Sequence, residues 1–166
     1  MDSAKISGKK QPFRKRAAGL FLFLLAVSGF LLTGCLAKRS DSGLLNKEIK
    51  VFDVALFSKN ADKGIRGVVP KKEPCLKGFD YLYDPLEITV GYGFDDRVRK
   101  ITTRNRDTGM FGIRVGDEYA QGKSMILQAG FAQGDTPYRF VKDGFLFALL
   151  VDDRERIFGM TVELLD

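Results

Sequence analysis

The chain of 166 residues contains no histidine, no tryptophan, two cysteines and five prolines. Without histidine there is no imidazole to serve as general base, metal ligand or switch near neutral pH. Without tryptophan there is no indole platform for stacking a nucleobase. Two cysteines, Cys35 and Cys75, make neither a disulfide framework nor a thiolate zinc site. A lasting excess of one charge is missing too. Of 27 Lys+Arg and 21 Asp+Glu, six bases and one acid precede Cys35, so 21 bases meet 20 acids afterwards. The net charge of +6 therefore belongs to the N-terminal segment, and nucleic acid is not an expected partner. No phosphate-binding loop or dinucleotide fingerprint occurs, and no cofactor is expected.

What is present begins with a leader. A cationic stretch (Lys5, Lys9, Lys10, Arg14, Lys15, Arg16) precedes Ala17–Leu32, an uncharged run of 16 residues. Small residues follow, as in a secretory signal peptide. Leu32-Thr33-Gly34-Cys35 resembles the lipobox of bacterial lipoproteins. That resemblance implies cleavage between Gly34 and Cys35, and a diacylglycerol, with acyl chains such as palmitate, on the Cys35 thiol. Residues 1–34 would then be the signal peptide, and the mature protein would be anchored on the extracytoplasmic face of a membrane. In a Gram-negative cell the outer membrane is a candidate, because Leu36 replaces the Asp that retains many such proteins inside. Two acyl chains hold stably where one holds marginally, each buried methylene contributing about 0.8 kcal/mol. The competing reading is an uncleaved signal anchor, since Ala17–Ala37 supplies 21 uncharged residues.

Residues 35–46 read as the lipidated N-terminus and a short polar tether, and 47–166 as one extracytoplasmic domain. Val51–Ser58 is apolar and ambiguous in type. Asn60–Lys77, with Gly64, Gly67, Pro70 and Pro74, reads as irregular or a broken helix. Strands are expected at Phe79–Tyr83, Ile88–Phe94, Val98–Arg104, Tyr138–Lys142, Phe145–Val151 and Ile157–Leu164. The alternation places Ile88, Val90, Tyr92 and Phe94 on one face and Thr89, Gly91 and Gly93 on the other. Glu118–Ala129 reads as a helix with Asp117 as N-cap, Gly130 beyond its C-terminus, and Tyr119, Lys123, Ile126 and Leu127 along one side.

FDDRVRKI (94–101) and VDDRERIF (151–158) suggest a degenerate repeat, with halves 47–106 and 107–166. Gly64-Ile65-Arg66 echoes Gly112-Ile113-Arg114 more faintly. The expected fold is α+β: two antiparallel β-meanders with one well-defined helix. Gly112-Ile-Arg-Val-Gly-Asp117, a helix ending at Gly130-Phe131, and strands with DG or DD turns resemble envelope lipoproteins of the outer-membrane-assembly SmpA/OmlA type. The modules of beta-lactamase-inhibitory proteins are similar. The resemblance implies an envelope location and this fold.

Candidate chemistry is sparse. The carboxylate pairs Asp95/Asp96 and Asp152/Asp153 could share a proton or hold a cation, but they sit beside Arg at turns, where Asp bonds the local backbone. No metal site or catalytic residue is assigned. Cys75 is expected to be buried, the alternative being an intermolecular disulfide. Gly91 and Gly93 clear one strand face, which the domain's own helix is expected to cover, the alternative being a bound extended peptide. Arg97, Arg99, Lys100, Arg104 and Arg106 form the candidate binding patch. A strand alternates its faces, so these five cannot share a face unless a bulge intervenes. The functional expectation is a non-catalytic binding or scaffold module, with the membrane and an envelope protein or anionic envelope component as partners. The rival is a carboxylate-dependent envelope hydrolase.

Overall fold

The computed structural model describes residues 41–59 and 63–165, so the leader, Gly34 and Cys35 lie outside the described residues. The expected α+β fold is present. Helix α1 (Asp41–Glu48) leads into a two-residue strand β1 (Ile49–Lys50). Strands β2 (Lys71–Cys75), β3 (Gly78–Tyr83), β4 (Ile88–Gly93) and β5 (Val98–Thr103) form a meander. A tight hairpin of β6 (Gly109–Met110) and β7 (Ile113–Arg114) precedes helix α2 (Tyr119–Gln128). A second meander follows, of β8 (Ala132–Gln133), β9 (Arg139–Lys142), β10 (Phe145–Val151) and β11 (Ile157–Leu164). The meanders join through β5 and β11 into one antiparallel sheet of order β2-β3-β4-β5-β11-β10-β9-β8.

Alternation decides which face is buried. Ile88, Val90 and Tyr92, with Ile101, Phe147, Leu149, Met160 and Val162, point to one side and are closed from solvent. Each such fully buried apolar side chain contributes roughly 1.5–3 kcal/mol. Below them pack Ile126 of α2, the β6–β7 hairpin residues Met110 and Ile113, and a cluster of Phe111, Phe131 and Phe147 with ring centroids 5.2–6.1 Å apart. Helix α2 approaches closely because Gly122 faces the sheet; a Cβ there would stand 2.5 Å from Cδ1 of Ile157. It ends in a Schellman motif: Phe131 N–H bonds Ile126 O (3.3 Å), Gly130 N–H bonds Leu127 O (3.0 Å), and Gly130 has φ of 87°.

Several expectations are corrected. Helix α1 covers residues read as tether; its Leu45 is buried, and the Asn46 side chain bonds the backbone of Leu56 at both ends. Lys71–Cys75 is a strand, although Pro74 removes a donor. It lies at the sheet edge, where Pro and lysines discourage further pairing. Asp117 does not cap α2; its carboxylate accepts the Arg114 N–H at 2.8 Å, and Glu118 is the N-cap residue. Leu127 points to solvent. Phe94 is also exposed, because β4 ends at Gly93 and the chain turns away before the alternation reaches it.

The sheet order is a palindrome, and the two halves obey an approximate two-fold with a spacing of 59 residues, seen at the pair Thr102 and Thr161, whose hydroxyls are 2.9 Å apart. These residues are partners across β5–β11 and would lie on the axis, as would the β1–β6 partners Lys50 and Gly109. The same spacing relates the left-handed residues Phe52 and Asp53 to Phe111 and Gly112, and Asp96 to Glu155. It relates the bulge at Gly91/Tyr92 to that at Leu150/Val151. Finally, it relates two clamps: Phe57 N–H to Val98 O (2.8 Å) with Val98 N–H to Ser58 O (2.9 Å), and Gly116 N–H to Ile157 O (2.7 Å) with Ile157 N–H to Asp117 O (2.9 Å).

The two Asp-Asp-Arg triplets therefore do not superpose. Asp152 occupies the place of Gly93: Gly93 N–H bonds Arg97 O, and Asp152 N–H bonds Arg156 O, both at 2.9 Å. Turns favour Asp at more than one position, so matched triplets can lie in equivalent hairpins two residues out of step. Likewise the counterpart of Gly112-Ile113-Arg114 is Asp53-Val54-Ala55, not Gly64-Ile65-Arg66.

Candidate functional site

The five cations of the candidate patch lie on or beside β5, and a bulge does intervene. Val98 pairs with Tyr92 and Lys100 with Gly91, leaving Arg99 as the extra residue. Arg99 and Lys100 are thereby turned to the same side, the sheet face opposite the core. The glycines confirm the direction. A Cβ on Gly93 would meet Arg99 Cδ at 2.7 Å, and one on Gly91 would meet Lys100 Cβ at 3.0 Å. The expectation that α2 covers Gly91 and Gly93 is overturned: α2 lies on the other face, against Leu149 and Ile157, and the glycines make room for the stems of Arg99 and Lys100.

The patch does not act as one group. Arg104 joins Arg99 and Lys100 on the outer face, its guanidinium carbon 5.7 Å from the Phe158 ring centroid and its Cγ against Gly159. Lys100 pairs with Asp80 at 2.8 Å, both side chains roughly three-quarters buried. Arg97 is spent on the scaffold: Nη1 donates to Phe57 O at 3.3 Å, and Nε lies 3.6 Å from Asp95. Arg106 sits apart, in a groove with Arg154 and Arg156. These last two were missed by the sequence reading, because Asp-Asp-Arg-Glu-Arg looks like a self-neutralising turn. Only the fold brings them beside Arg106.

Both carboxylate pairs are exposed, and in each the first Asp bonds the local backbone. Asp152 Oδ1 accepts the N–H groups of Arg154 and Arg156 at 3.0 and 2.8 Å, and Asp95 Oδ1 accepts that of Arg97 at 3.3 Å. Asp96 is different. Its carboxylate lies 2.8 Å from the ammonium of Lys63, which also sits 3.9 Å over the ring of Tyr92. The hydrogen bond from Lys63 holds the Asp96 carboxyl below its ordinary range.

Cys75 is exposed, contrary to expectation, because it ends the edge strand at the two-residue turn before Gly78. No cluster of three metal-ligating side chains occurs among the described residues, and no described helix is long and apolar enough to cross a membrane. The chain matches no family model, no curated protein and no solved structure.

Proposed function

We propose that this chain is a lipid-anchored module of the bacterial envelope that binds another envelope component through the outer face of its sheet and performs no catalysis of its own. The anchor rests on the sequence Leu32–Cys35 behind an apolar run, with Cys35 as the lipid-bearing residue. The binding face rests chiefly on one observation: the bulge at Arg99 sets Arg99, Lys100 and Arg104 on a common face. Thr89, Thr102 and Thr161 share that face, half-exposed, as does the exposed bulge residue Phe158. Mixed basic, hydroxyl and aromatic groups on a rigid sheet suit an acidic protein surface better than an apolar one. The turn bonding of Asp95 and Asp152 argues against their use as a working acid–base pair.

The test is crosslinking of the chain in its own envelope. Wild type is compared with a variant carrying Arg99→Ser, Lys100→Ser and Arg104→Ser, and with Arg97→Ser alone. Partner loss is expected in the triple variant and retention in Arg97→Ser. The same partners in all three would remove the sheet face from consideration. Mass spectrometry of the mature chain tests the anchor: an unmodified chain beginning at Met1 contradicts it. Hydrolytic activity abolished by Asp95→Asn or Asp152→Asn would favour the hydrolase instead.

A further inference from the structure

We propose that the groove beside the β10–β11 hairpin is a binding site for a phosphate monoester group, carried by a soluble molecule or by a lipid headgroup. The groove encloses about 680 Å3 and is lined by Arg106, Arg154 and Arg156, with Asp152 the one acid among its lining residues. Val115 and Phe158 supply apolar wall on which the organic part of such a ligand can rest.

The charges in this groove are set for a ligand. Arg156 is held in place: its Nη1 donates to Gly116 O at 2.9 Å, and Glu118, outside the lining, comes within 3.8 Å of its Nη2. Asp152 Oδ1 accepts two backbone N–H groups, so that oxygen serves the turn. The guanidinium groups of Arg106 and Arg154 have neither ion pair nor hydrogen bond among the described residues. Three guanidinium groups against one carboxylate leave two positive charges in the lining. A phosphate monoester brings close to two negative charges at neutral pH and three acceptor oxygens; a monocarboxylate brings one charge. The planar guanidinium fork matches phosphate oxygens in pairs.

The two-fold supplies an internal control. The related groove beside the β4–β5 hairpin holds about 320 Å3, lined by Arg97 and Arg99 with Asp95 and Asp143, so its charges balance. At the spacing of Thr102 to Thr161, Phe57 there answers to Gly116, Asp95 to Arg154, Arg97 to Arg156 and Leu165 to Arg106. One bulky ring has become glycine, one acid has become arginine, and one leucine has become arginine. The shared scaffold does not require these differences. They open the second groove and make it basic.

Calorimetric titration of the full-length chain in neutral detergent tests this. Glycerol 3-phosphate and dihexanoyl phosphatidic acid are the two probes, with succinate and dihexanoyl phosphatidylcholine as comparators. Arg154→Asp and Arg106→Leu install what the related groove already carries at those places, and an unchanged thermal transition verifies that each variant is folded. The expected result is saturable binding of a monoester probe, weakened at least tenfold by each variant and further by salt. Arg99→Ser with Lys100→Ser is expected to leave that binding intact, so failure of the sheet-face reading and failure of this one are distinguishable. Binding of the soluble monoester places the source in solution, and binding of phosphatidic acid alone places it in a headgroup. No binding of either probe at millimolar concentration, succinate binding as tightly, or unchanged affinity in both variants would overturn the proposal.

Discussion

The two halves of this molecule share a backbone plan and differ in what they do with it. Both carry a left-handed pair at the head (Phe52-Asp53 and Phe111-Gly112), a clamp onto the last strand, and a bulged hairpin closed by a left-handed acid (Asp96 and Glu155). In the second half, positions 119–128 form α2 under the sheet. In the first, the described part of the corresponding stretch is irregular, and the buried Lys63 fills the space beneath Tyr81 and Tyr92. The first half has put a cation where the second puts a helix. The groove beside the β4–β5 hairpin balances its arginines with Asp95 and Asp143, whereas the groove beside the β10–β11 hairpin keeps Arg106 and Arg154 without an ion pair among the described residues. The comparison separates what the scaffold needs, namely bulge, clamp and axis, from what is free to specialise.

The largest effect expected from breaking that comparison is in the core. Phe147 lies beneath Phe111 and Phe131 in the second half and corresponds to Ile88 in the first, both buried. Phe147→Ala should cost about 3–5 kcal/mol and Ile88→Ala about 2–5 kcal/mol, read as urea unfolding midpoints. A loss under about 1 kcal/mol at either site would mean that the sheet is not packed as described. Next come the hairpin glycines. Gly78 has φ of 146°, and a Cβ there would stand 2.0 Å from the Tyr92 carbonyl, whereas Gly144, at φ of 83°, has open space. Gly144→Ala should cost about 1–2 kcal/mol from backbone strain alone. Gly78→Ala should cost more, because backbone must move.

The axis itself can be probed at Thr102 and Thr161. Each single change to Val leaves one hydroxyl without its mate and should cost about 0.5–1 kcal/mol. The double change should cost less than the sum of the two, giving a coupling of similar size in a double-mutant cycle. The smallest effect is electrostatic. Asp96 is held below the ordinary aspartate range by its hydrogen bond from Lys63. A depressed folded-state pKa stabilises above the unfolded value near 4 and is lost as pH falls through the folded one, so stability should decline below about pH 4. Asp96→Asn should flatten that part of the profile. An unaltered acid limb would place the acid sensitivity elsewhere.

How much of this was legible follows from the same physics. Strands β3, β4, β5, β9, β10 and β11 could be read because one buried face imposes alternation and Asp-rich turns end them. Helix α2 could be read from its Gly130 stop. Strand β2 could not, since Lys-Lys-Glu-Pro-Cys is an edge strand with no buried side chain and so no pattern. Helix α1 was hidden by a polar composition around the buried Leu45. The repeat is legible, but the Asp-Asp-Arg triplets that announce it are two residues out of step, because identity survives in the turns while the structure matches apolar class (Val51 with Met110, Val98 with Ile157). Of the candidate patch, the shared direction of Arg99, Lys100 and Arg104 depended on a bulge that the sequence does not announce. Arg154 and Arg156 become companions of Arg106 only through the β5–β11 junction.

On the proposal above, two related grooves share a scaffold and only the second receives a phosphate group. The most direct measurement is a 15N–1H spectrum of the full-length chain titrated with glycerol 3-phosphate. Saturable shifts are expected at the amides of Gly116, Arg154 and Arg156, with Phe57, Asp95 and Arg97 unmoved. Equal shifts in both sets, or none at Gly116, Arg154 and Arg156, would contradict a phosphate site in the second groove.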